Sequence, residues 1–102
     1  EKRFNDLLSA GQNFEQRGKD FYVEAMQKYR QAQALDYNNQ LIENEILRLN
    51  GKIDAFIQEA KLKSKYLIGT DNENAIKLWL QPAIKMRPND TEVKKLITKA
   101  SN

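Results

Sequence analysis

Three groups of residues in this chain have the types and spacing to do chemistry. Acidic pairs stand at Glu43/Glu45 and Asp71/Glu73, and paired carboxylates are what general acid–base catalysis asks for. Gly-Lys dipeptides stand at 18–19 and 51–52, where a phosphate-binding loop would end. Lysines gather at 61, 63 and 65 and again at 94, 95 and 99, as phosphate contacts to a nucleic acid or an anionic lipid would require. Each group fails on its surroundings. The acidic pairs fall at surface or helix-cap positions. The Gly-Lys pairs lack the preceding strand and glycine of a phosphate loop. Lysines spaced by two fan around a helix instead of forming one stripe, and acidic residues interrupt the remaining candidates, which argues against nucleic-acid binding. With no histidine and no cysteine, imidazole and thiolate metal sites, disulfides and nucleophile–His catalysis are excluded. The sequence predicts no catalytic site, no metal, no cofactor and no small-molecule substrate.

The chain is 102 residues long, 40% hydrophobic and 30% charged, with a formal charge of +3. That suits one small folded domain with a modest core. No apolar run reaches the length of a membrane span, and no secretory signal is visible. The start at Glu1 suggests an excised domain or a processed protein. Together with the missing cysteines it leans toward a bacterial cell envelope, and the excess of Lys and Asn over Arg suits a bacterial genome rich in A and T.

Nearly every segment has helical periodicity, and the alternation of strands is missing. A first helix fits 3–17, with Phe4, Leu7/Leu8, Gly11 and Phe14 inward and Gly18 at its stop. A second fits about 20–36, with Tyr22, Ala25, Tyr29, Ala32 and Ala34/Leu35 on one stripe. Ile42, Ile46, Leu49, Ile53, Phe56 and Ala60 then recur in one phase, which favours a single helix from about 40 to 67. The "NG" at 50–51 offers a stop that would split it into a hairpin, although an interior glycine costs only about 1 kcal/mol relative to alanine. "GTDNEN" at 69–74 supplies a loop and an N-cap. A fourth helix follows over about 72–87, with Pro82 expected to kink or break it. A final helix over about 90–100 turns Val93, Leu96, Ile97 and Ala100 inward and Lys94, Lys95 and Lys99 outward.

Two of these pieces repeat. Gly18 and Gly69 stand 51 residues apart, and the same shift pairs Asp20 with Asp71, Tyr29 with Leu80, Ala32 with Ala83, and "YNN" at 37–39 with "PND" at 88–90. The small Ala10 and Gly11 on the first helix imply a close crossing with the second, with Ala25 facing it.

Leu7, Ala10, Gly11 and Phe14, followed by Ala25, Tyr29 and Ala32 and the exit "LDYNN", resemble the tetratricopeptide repeat (TPR). The resemblance is clear over 4–39 and weaker over 56–90, where Ala83 and "RPND" fit. The turn inside each copy is two residues longer than the family's, and the spacing between copies exceeds its usual period. The resemblance implies an all-α domain over 1–102: antiparallel hairpins stacked as a short TPR-like solenoid. Within it lie a first hairpin (4–39), a long helix plus a fourth helix (40–88) and a capping helix (89–102). It also implies a protein–protein interaction module that holds a peptide or protein partner on its inner helix face. Asn5, Leu8, Ser9, Gln12 and Gln16 on the first helix, with Lys61 and Ser64 on the long one, are the expected partner-binding residues. Leu8 and Gln12 stand where a carboxylate clamp would place charged residues, so an uncharged, amide-rich groove is expected. The alternative is a structural or assembly segment that packs on its own chain or on a second copy. The stripe from Ile42 to Ala60 could in that case pair as a homodimer.

Overall fold

The computed structural model describes residues 2–102, and among them every regular element is helical. Helix α1 is Lys2–Gln16, and a 3₁₀ turn at Lys19–Phe21 leads into α2, Tyr22–Leu35. Helix α3 is Gln40–Leu67, and α5 is Thr91–Ser101. Between them α4 runs over 72–86 as three joined pieces, an α-turn at Asn72–Asn74, a π segment at Ala75–Leu80 and an α-helix at Gln81–Met86. No helix among the described residues is long and apolar enough to cross a membrane. The chain divides into two compact units, one up to Ile53 and one over Asp54–Asn102, so the boundary falls inside α3. The sequence pattern groups 40–88 instead.

The single phase of the α3 stripe prevails over Gly51. Ile42, Ile46, Leu49, Ile53, Ile57 and Ala60 are all buried, and the helix passes through Gly51 unbroken on its exposed side. Asn39 starts α3 by accepting from the backbone N–H groups of Leu41 and Ile42 with its side-chain oxygen, which satisfies donors that the first turn would leave orphaned. Past Ile53 the inward position is Ile57. Phe56 is half-buried and stacks on Trp79, with centroids 5.8 Å apart.

Pro82 does not break α4, whose helical run continues to Met86, and the distortion expected of it takes the form of a π segment just upstream. The strain is absorbed upstream. The Gln81 N–H donates to the Ile76 carbonyl five residues back, and this wider π turn lies just before the ring that would crowd the preceding turn.

The two units share one frame at a shift of 51 residues. Helices end at Gln16 and Leu67 and at Leu35 and Met86, and begin at Gln40 and Thr91. Gly18 and Gly69 have φ of +101° and +97°, a region strained for any residue with a Cβ. Asp36 (φ −147°, ψ 82°) and Arg87 (φ −133°, ψ 79°) terminate their helices with nearly the same backbone geometry. Asn39 and Asp90 both cap the next helix with their side chains. Tyr29 and Leu80, Ala32 and Ala83, Ile42 and Val93 are buried in pairs.

Asp90 has two tasks. One carboxylate oxygen accepts from the Val93 N–H at 3.0 Å, and the other stands 3.1 Å from Lys61 Nζ. The Val93 N–H, and next Lys61, hold its carboxyl below the usual range. Asp90→Ala is expected to cost about 1–2 kcal/mol through the lost cap, read as a fall in the thermal midpoint.

Several inward assignments on the first hairpin change, and Leu7, Leu8 and Tyr22 are half-buried. Phe14 is half-buried and stacks on Phe21 at 6.0 Å, with the Arg17 guanidinium over both rings. Ala34 and Leu35 are exposed. The space that Gly11 leaves is filled by the ring of Tyr29, where Ala25 was expected. A Cβ at residue 11 would lie 2.4 Å from Tyr29 Cε1.

Candidate functional site

Glu15 occupies the next inward position of α1 after Phe4 and Gly11, and only 5% of its side chain is exposed. A buried carboxylate must be paired to remain ionised, and four donors from two other helices surround this one. The Tyr29 hydroxyl of α2 donates to Oε1 at 2.8 Å. From α3, the Arg48 Nη2 donates to Oε1 at 2.8 Å, Nη1 donates to Oε2, and Lys52 Nζ donates to Oε2 at 2.7 Å. All four lone-pair sites of Glu15 are therefore taken.

Glu45, one turn before Arg48, closes the cluster. It accepts from Arg48 Nε at 3.4 Å and Nη2 at 3.0 Å and from Gln12 Nε2 at 3.3 Å, and the Tyr29 hydroxyl stands 3.4 Å away. The titration behaviour follows from these contacts. Burial raises the Glu15 carboxyl, but the hydrogen bonds from Arg48, Lys52 and Tyr29 outweigh it and hold it at about 2. Burial and the adjacent Glu15 carboxylate push the Tyr29 phenol up, so it stays protonated. The Arg48 hydrogen bond lowers Glu45.

Above the cluster lies an open groove of about 400 Å³ lined by Gln12, Glu15, Gln16, Glu45, Arg48 and Lys52. The floor is fixed by the ion pairs, while Arg48 and Lys52 remain 43% and 47% exposed. Gln16 lies at the rim, exposed, with no side-chain partner among the described residues. The groove has no histidine or cysteine, and no acid–metal constellation occurs among the described residues. It can bind by hydrogen bonding and dipolar contact.

The expected binding residues separate. Gln12 and Gln16 line this groove. Asn5 and Ser9 are exposed and Leu8 is half-buried on the same helix, outside the groove lining. Lys61 and Ser64 belong to the second unit and are not offered to a partner as the sequence suggested. The Lys61 ammonium is held 3.1 Å from Asp90 and 3.5 Å from Glu92. Ser64 is fully buried, with its hydroxyl donating to the Lys61 carbonyl. It is a small core residue of the α3 stripe.

Periodicity alone does not bring Glu15, Tyr29, Glu45, Arg48 and Lys52 together as a site. Two signals were present. Glu15 stands four residues after Gly11 on an otherwise apolar stripe, and Glu45, Arg48 and Lys52 follow at steps of three and four on α3. Comparison with protein-family models, with curated proteins and with solved structures finds no match for this chain.

Proposed function

We propose that this chain is a TPR-like protein–protein interaction module that holds a segment of a partner protein in the groove of its first unit. The supporting observation is a contrast inside the molecule. At the shift of 51 residues, Tyr29 corresponds to the fully buried Leu80 and Glu45 to the buried Leu96. Glu15 and Arg48 correspond to Tyr66 and Lys99, both exposed, so the second unit has no counterpart of the ionic cluster. A buried charge network is in general no better for stability than apolar packing. The first unit keeps a rigid polar floor beneath a groove whose rim amides and exposed cations face outward, which suits recognition by hydrogen bonding.

The alternative, an assembly segment packing on its own chain or on a second copy, has its own support. Leu62 and Tyr66, one turn apart on α3, are 56% and 76% exposed. A photo-crosslinking side chain placed at Gln16 decides between them, with Tyr37, exposed in the same unit but outside the groove, as control. The groove reading expects a discrete heterologous adduct from position 16 and none from 37. No adduct from 16 defeats it, and an adduct at twice the chain mass supports self-assembly instead.

A further inference from the structure

The hydrogen-bond inventory of the groove indicates what it takes. Resting on the groove reading above, we infer that the partner presents an uncharged carboxamide, an Asn or Gln side chain, to Lys52 and Gln16. The acceptor sites of Glu15 are spent. Glu15 receives four hydrogen bonds, and Glu45 is used by Arg48 and Gln12. Spare donors stand above this floor, beside the free amide oxygens of Gln12 and Gln16. Lys52 uses one of its three N–H groups, Arg48 four of its five, and the Gln16 amide none. A ligand must supply acceptors for them.

Charge then selects among acceptors. Arg48 and Lys52 are already balanced by Glu15 and Glu45, so the cluster is neutral. Residues 1–53 as a whole hold eight acidic and eight basic side chains, and the excess of positive charge lies entirely in residues 54–102. An anionic carboxylate docked on Lys52 would be drawn to no net positive charge and would face two fixed carboxylates. A carboxamide brings the same acceptor without that repulsion, and its own N–H₂ can donate to the free oxygen of Gln16. Like-charge juxtaposition is how such a site rejects the acidic isostere.

The test is an array of short random-sequence peptides probed with the native chain, with Gln16→Ala and with Lys52→Met. Gln16 is exposed and has no side-chain partner to lose among the described residues, so its variant keeps the fold even if Lys52→Met does not. The expected result is a set of peptides bound by the native chain and lost with Gln16→Ala. Those peptides are enriched in Asn and Gln. Changing the key Asn to Asp should weaken them about tenfold, with less than about a twofold response to added salt. Groove-dependent peptides enriched in Asp or Glu, with strongly salt-sensitive binding, would overturn the inference and leave the groove reading intact. An array with no groove-dependent peptide would remove both.

Discussion

Replacing Glu15 by alanine is expected to destabilise the first unit by about 3 kcal/mol, because it leaves Arg48, Lys52 and the buried Tyr29 hydroxyl without their shared acceptor. Urea unfolding measures it, and a loss below about 1 kcal/mol would mean the cluster behaves as a surface ion pair. The same carboxylate predicts a pH dependence. Its folded-state value of about 2 lies below the ordinary 4.5, so the folded state favours the ionised form. That stability is fully present above about pH 4.5 and is lost as the pH falls through about 2. The gap corresponds to about 3 kcal/mol, and Glu45, also lowered, adds in the same direction. Glu15→Gln should flatten the stability profile in this window while leaving its shape near neutrality unchanged. An unaltered acid limb would show that Glu15 is not its source.

One substitution made at two glycines should change stability in opposite directions. Gly11→Ala forces a Cβ to within 2.4 Å of Tyr29 Cε1, in a ring that is fully buried and tethered by its hydroxyl to Glu15. Overpacking of this kind costs about 1–3 kcal/mol and more than offsets the roughly 1 kcal/mol of helix propensity that alanine adds. Gly51→Ala meets nothing within 4 Å and keeps the propensity gain of about 1 kcal/mol. Thermal midpoints of the two variants should therefore move apart. A stabilised Gly11→Ala would show that the Tyr29 ring can retreat and that no steric requirement holds glycine at that position.

The helices were legible because their signals are local. The α3 stripe keeps one phase from Ile42 to Ala60, Gly18 marks a helix end, and the 69–74 loop supplies Asp71 as the cap of the helix that follows. The 51-residue shift could be read from residue types alone. The π segment could not, since Pro82 announces a missing donor but not the upstream turn that accommodates it. The candidate site was half legible. Gln12 and Gln16 follow from the face of one helix, whereas the floor joins Glu15 to residues 14, 33 and 37 positions away, and only the tertiary fold brings them together. Lys61 and Ser64 misled for the same reason. Their polarity suggested an open face, yet Asp90 captures one and the core encloses the other.

The single tryptophan has a practical consequence. Trp79 stacks on Phe56, both in the second unit, so intrinsic fluorescence excited at the indole reports on that unit alone. Tyr29, enclosed beside Glu15, gives the first unit a tyrosine band in near-ultraviolet circular dichroism, isolated by subtracting the spectrum of Tyr29→Phe from that of the native chain. The molecule thus holds two optical reporters, one for each copy of the repeated frame. Superimposable melts in the two bands would mean that the units unfold as one cooperative body. A Glu15→Ala variant whose tyrosine band melts early while its indole emission is unchanged would mean that each copy stands or falls alone.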